Sequence, residues 1–249
     1  MRYFLDISYQ GSTYHGWQIQ KNAISVQEVI NEGLSTILRY KTECLGSGRT
    51  DTGVHAIQQM AHFDSQDKLD IEDFKYKLNA LLPSSIAIND IKTVNEAAHA
   101  RFDATRRSYQ YLIHRQKDPF KEGLSYFFST PINQEKIQEA IKILREWTNF
   151  QAFSKVKTDV NNFDCQIFQA TWETSETDHR FFVSANRFLR GMVRAMVGTL
   201  LEIGQEKITP QDLIQILESE DRSRAGRAVP PWGLYLCAIE YPKDIFIDN

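Results

Sequence analysis

The chain of 249 residues carries 29 Lys and Arg against 32 Asp and Glu, a net charge of −3, so a nucleic-acid partner has to be met by a local basic surface and not by the average field. At about 100–200 residues per domain, the length fits one large domain or two modest ones. Cys44, Cys165 and Cys237 are odd in number and far apart, with no CxxC pair, which argues against a disulfide framework or a zinc site and for a reducing, cytoplasmic setting.

The N-terminal MRYFLDISY is too short and too polar for a signal peptide, and no apolar run approaches a membrane span. Residues 2–9 alternate as a strand instead. The turn-rich stretch YQGSTYHGWQIQ, Tyr9 to Gln20, follows. It reads either as a long loop whose Tyr14 and Trp17 plug the core or as a loop facing RNA, since aromatic faces suit unpaired bases. Ser25 to Tyr40 is a helix: Ser25 and Glu28 make a capping box, and Val26, Ile30, Leu34 and Ile37 recur at helical spacing. Ile57 to Asp64 is a strand with Ile57, Ala61 and Phe63 on one face. Ile71 to Leu82 is a helix stopped by Pro83, and Ile86 to Val94 is a strand.

The second half repeats this order. Strands are predicted at Ser108 to His114, Cys165 to Glu173 and Arg180 to Ala185, and helices at Asn133 to Trp147 and about Arg187 to Ile203. A short helix starts at Pro210 with Thr209 as N-cap, and a last strand spans Leu234 to Tyr241. The polar, Asn-rich segment Lys155 to Asp164 is expected to be a mobile loop. This order predicts an α+β fold of two similar domains, each a mostly antiparallel sheet covered by helices. The boundary is placed near residues 100–104, giving domains of 1–102 and 103–249.

The chemistry concentrates in the loop GSGRTDTGVHA, Gly46 to Ala56. Glycines on both sides of Asp51 allow tight turns, and Arg49 two residues away can favour the ionised carboxylate. A polar turn in which Asp51 bonds its own backbone is the plain alternative. Further on, ARFDATRRSYQY puts Arg101, Arg106 and Arg107 just ahead of Tyr109 and Tyr111, a mixture that suits a phosphate backbone and an unstacked base. Arg187, Arg190 and Arg194 are spaced to share one face of the predicted helix. The rest of that helix is apolar, so these arginines need carboxylate or phosphate partners. A phosphate-binding nucleotide enzyme using GSGRTDTG as a cradle is a competing reading, against which stand a glycine spacing unlike that of a P-loop and the lack of a following Lys-Ser/Thr pair.

Taken together, these blocks resemble the tRNA pseudouridine synthase A family over nearly the full length. The resemblance rests on YQGSTYHGWQIQ followed by SVQEVI, GSGRTDTGVHA, NALLP with SSIAI, ARFDATRRSYQY, FLRGMVRAMVGTLLEIG and RSRAGRAVPPWGLYL. It implies isomerisation of uridine to pseudouridine at positions 38–40 of the tRNA anticodon stem-loop. Asp51 would be the catalytic aspartate, Arg194 would pair with its carboxylate, and Arg49 would support the loop. Tyr109 would pack on the target uracil, with Arg107, Arg187 and Arg190 binding the substrate. It further implies a homodimer of two-domain chains, each with a cleft between its domains, and no metal or organic cofactor. The chain departs from the family at Gln10, where an Asp is usual, and in LREWTNFQAF. The alternative is a catalytically silent RNA-binding protein of the same fold.

Overall fold

In the computed structural model, residues 1–156 and 160–247 are described, and the chain divides into two units. One joins Met1–Arg106 to the segment from Tyr235 onward, and the other is Arg107–Leu234. The first unit contains strands β1 (Arg2–Tyr9), β2 (Leu45–Gly46), β3 (His55–Asp64) and β4 (Ile86–Val94), helices α1 (Val26–Leu38) and α2 (Ile71–Leu81), and β9 (Leu234–Glu240) near the C-terminus. β1 pairs antiparallel with both β3 and β4, β2 antiparallel with β3, and β9 briefly parallel with β3. The C-terminal strand therefore belongs to the first unit and not to the second half of the chain, where its place in the sequence had put it.

Local signals account for the helices of this unit. Ser25 Oγ accepts from Glu28 N at 3.3 Å while Ser25 N donates to the Glu28 carboxylate at 3.4 Å, the reciprocal cap expected from the sequence. Asp70 caps α2, and Leu82, before Pro83, ends it in extended conformation. α2 packs on the sheet through Phe74, stacked 5.9 Å from Phe63, which in turn stacks on Tyr3 at 5.6 Å. Phe4 lies on the opposite face, in edge contact with Tyr241 at 5.2 Å.

One expectation for β3 is overturned. Ile57 is exposed, whereas Gln59, on the same nominal face, is fully buried with Ala61 and Phe63. The cause is a register shift: Ile7 pairs with Gln59 but Tyr9 with Ala56, so Ile57 falls in a bulge that turns its side chain out of the core.

The second unit contains β5 (Arg106–His114), β6 (Tyr126–Phe127), β7 (Ile167–Thr174) and β8 (Asp178–Ala185), with helices α3 (Gln134–Glu146), α4 (Met192–Gly204) and α5 (Pro210–Glu218). β8 pairs antiparallel with β5 and β7, and β6 adds a short parallel pairing to β5. Asn133 caps α3, whose Gln138 donates to Trp172 O on β7 at 2.9 Å. Thr209 and Asp212 form the capping box of α5. Each unit is thus α+β with a mostly antiparallel sheet. Residues 157–159 of the segment expected to be a mobile loop, Lys155 to Asp164, lie outside the described residues. Among the described residues no helix is long and apolar enough to cross a membrane.

A buried histidine gives the first unit a pH-dependent stability. His62 on β3 is 3% exposed and meets the His99 ring edge-on at 4.6 Å. Its Nδ1 accepts from Ala100 N at 3.1 Å. Burial, reinforced by the neighbouring His99 and Arg2, pushes the imidazole down to about 4. An unfolded histidine titrates near 6.5, so between these values the unfolded chain binds the extra proton. This contribution is complete above about pH 6.5 and is lost as the pH falls toward 4. The expected loss from His62 alone is about 1–2 kcal/mol between pH 7 and pH 5. Urea midpoints at both pH values check it, with His62→Gln expected to flatten the difference by that amount.

Candidate active site

The Asp51 loop spans the connection from β2 to β3 and is fastened at nearly every residue. Ser47 N donates to Met60 O at 2.7 Å, and Ser47 Oγ bonds Gln59 Oε1 at 2.5 Å. Gln59 Nε2 reaches on to Gly48 O at 3.1 Å, so the buried glutamine on β3 holds the start of the loop. Thr50 Oγ1 meets the buried Tyr9 hydroxyl at 2.8 Å, and Thr50 O accepts from Trp17 N at 3.3 Å. Val54 N donates to Asp51 O at 3.1 Å, closing a tight turn. Gly53 N donates to Tyr14 O at 3.4 Å. His55, 1% exposed, stacks on Tyr235 at 4.6 Å, and its Nδ1 accepts from Gly11 N at 3.1 Å. Each such bond contributes only about 0.5–1.5 kcal/mol net. Their collective effect is geometric: they fix the backbone that presents Asp51, which is itself half-buried.

The stretch Tyr9–Gln20 is therefore the buttress of this loop. Tyr14 and Trp17 are 6% and 2% exposed. The core-plugging alternative holds for both rings, and their faces are not offered to a base. Arg49 is exposed, and no ion pair joins it to Asp51 among the described residues. The turn beginning at Asp51 and the burial of Thr50 separate two side chains that look adjacent in sequence.

Tyr109, Arg107, Arg187, Arg190 and Arg194 all belong to the second unit. Tyr109 on β5 is half-buried, and the Phe188 ring meets it edge-on at 5.0 Å and 84°. Arg107 pairs in register with Ala185 and donates from Nη1 to Asn186 O at 2.8 Å. Arg187 follows directly, its N donating to Asn186 Oδ1 at 2.8 Å. Arg107 and Arg187 thus share one corner of the β5–β8 pair, beside Tyr109 and Phe188.

The expected row of three arginines on one helix face is not formed. α4 begins at Met192, and Gly191 before it has φ of +74°. That left-handed backbone interrupts any helix running in from Arg187. Arg187 and Arg190 therefore lie in the lead-in, where Arg190 is exposed and its carbonyl accepts from Lys155 N at 2.9 Å. Arg194 alone is helical. Its Nε donates to Val229 O at 2.7 Å, and Val229 N donates back to Arg194 O at 3.2 Å. Nearby, Tyr111 OH donates to Pro230 O at 2.8 Å. Burial pushes the Tyr111 phenol well up, with the Arg194 charge pulling the other way.

Residue-by-residue reading passed over Gln59, Phe188 and Val229. Gln59 left a signal, a polar side chain between Ile57 and Ala61 on a face read as apolar. Phe188 and Val229 left none, because their roles arise from tertiary neighbours. Among the described residues no cluster of His, Cys, Asp and Glu could hold a metal ion.

The family model described as "tRNA pseudouridine synthase" matches residues 7–103 and 147–242. Those spans take in the Asp51 loop and α4 with the strand that follows its loop. A protein of Bacteroides thetaiotaomicron named tRNA pseudouridine synthase A is 46% identical over 251 aligned residues, covering 100% of this chain and 93% of that protein. Its namesake in Bacteroides fragilis is 45% identical, with 98% of each chain covered. The one in Bacillus subtilis is 36% identical, with 97% and 99% covered.

Proposed function

We propose that this chain, which belongs to the tRNA pseudouridine synthase family of isomerases, modifies uridine at positions 38–40 of the tRNA anticodon stem-loop, with Asp51 as its catalytic group and without a cofactor. The observation that carries this reading is the Asp51 loop: a half-buried carboxylate on a backbone pinned by Gln59, Tyr9, Trp17 and Tyr14. Such fixation suits a group that must meet one ribose in one geometry.

The reaction breaks the N1–C1′ bond, turns the uracil and rejoins it to C1′ through C5. The C5 hydrogen leaves to solvent and N1 takes up a proton, so the product is an isomer and no external acceptor is consumed. A carboxylate serves here as a nucleophile at the sugar or as the base that opens a glycal route. A uridine inside a stem must also be flipped from its stack and held on an aromatic face, the role assigned to Tyr109. Arg107, Arg187 and Arg190 are assigned to backbone phosphates, which a chain of net charge −3 must meet locally. Arg49 is assigned to the support of the Asp51 loop in the RNA complex. The working enzyme is assigned as a cytoplasmic homodimer, and sedimentation velocity is expected to return the mass of two chains.

The deciding assay is tritium release from tRNA labelled with [5-³H]uridine. Release confined to tRNAs carrying U at positions 38–40 is the expected result; binding without release would leave a silent RNA-binding protein. Tyr109 gives a second test. If its work is stacking, worth about 1–3 kcal/mol per base, Tyr109→Phe retains most turnover and tRNA affinity whereas Tyr109→Ala loses about tenfold to a hundredfold in kcat/KM. Equal losses for Phe and Ala would assign the work to the hydroxyl instead.

A further inference from the structure

The segment Ala225–Pro230 lies as a strap along α4, and its backbone groups are tied down in succession. Arg222 Nη1 donates to both Ala225 O and Gly226 O at 3.2 Å. Gly226 N donates to Thr199 Oγ1 at 2.9 Å. Val229 exchanges two hydrogen bonds with Arg194, and Pro230 O takes the Tyr111 hydroxyl. Helix and strap approach so closely that a Cβ at Gly226 would sit 2.7 Å from Thr199 N, and one at Gly198 would overlap Arg227 O.

Thr199 is the buried hydroxyl of α4 that accepts a backbone N–H of the strap. It is 1% exposed and its hydroxyl hydrogen is committed to Ala195 O at 2.9 Å. With that hydrogen used inside the helix, its lone pairs face the strap and accept Gly226 N–H. We infer that Thr199 is a positioning residue for the isomerisation: it seats the strap so that Val229 O fixes the plane of the Arg194 guanidinium. The inference rests on the proposed isomerase function, with Arg194 taken, as the family resemblance implies, as part of the reacting machinery. A guanidinium held at Nε loses the rotation about its last bond that would otherwise spread its charge over several orientations.

Thr199→Val keeps the shape and removes the acceptor, leaving Gly226 N–H buried without a partner. The test compares it with Thr199→Ser in the full-length enzyme, using single-turnover and steady-state kinetics together with the Arg194 Nε–Hε resonance in ¹⁵N-labelled protein. Thr199→Val is expected to lower kcat about tenfold to a hundredfold with KM for tRNA unchanged. The single-turnover rate should fall by the same factor. The protection of Arg194 Hε against solvent exchange should collapse, and Thr199→Ser should restore all three readouts. If Thr199→Val does not fold, as judged by thermal melting, Thr199→Ala takes its place. Wild-type kcat in a folded Thr199→Val overturns the inference, as does a kcat loss with Arg194 Hε still protected or an equal loss in Thr199→Ser. Wild-type turnover in Arg194→Met would sink the reading of Arg194 and this inference with it. The resonance would then still report separately whether the strap holds the side chain.

Discussion

Asp51→Asn is expected to abolish tritium release while leaving tRNA affinity and thermal unfolding within experimental error of the wild type. The amide preserves the side-chain volume, and the turn keeps the bond from Val54 N to the main-chain carbonyl of residue 51. What it loses is the ability to attack carbon or accept a proton. Where such an exchange leaves a catalytic site intact, the cost is on the order of 10³–10⁴ in kcat, about 4–5 kcal/mol of transition-state stabilisation. A folded Asp51→Asn enzyme that keeps a tenth of the wild-type rate would remove Asp51 from the assigned role. A variant that fails to bind tRNA would show that the carboxylate works in recognition and not in chemistry.

Arg194→Met carries the second largest expected effect, a loss of about a hundredfold in kcat near neutral pH. A guanidinium in the reacting machinery stabilises negative charge that develops there, so its loss should fall on the chemical step. The single-turnover rate should therefore fall by the same factor as kcat, with the affinity for tRNA unchanged. Methionine retains an unbranched aliphatic stem like that of arginine, so unfolding is not the expected route of failure. Arg187→Met and Arg190→Met serve as the contrast. Both lie outside the helix, and as phosphate ligands each should weaken tRNA binding and reduce the salt slope by about one, with the single-turnover rate at saturating tRNA unchanged. A wild-type single-turnover rate in Arg194→Met would end its reading as part of the reacting machinery.

The sequence by itself determined those parts of this protein whose causes are local. The reciprocal caps at Ser25 and Thr209, the Asp70 and Asn133 caps, and the stop at Pro83 each depend on residues within one helical turn. Strand β4 matches its predicted span from Ile86 to Val94 because alternation is likewise a short-range property. Recognition of the family also lay in the sequence, as an ordered set of blocks. Tertiary structure alone decided the rest. The strand β9 closes on β3 across most of the chain length, a pairing that no local pattern encodes. Ile57 leaves the face it was expected to share with Ala61 and Phe63 because one extra residue bulges against β1. The arginines divide into two lead-in residues and one helical residue because Gly191 takes a left-handed conformation that its type permits but does not require. The aromatic loop became the support of Asp51, and Thr199 the seat of a strap, through contacts between segments distant in sequence. A residue's type sets which bonds it can make, but which partner it meets depends on chain segments that only folding brings together.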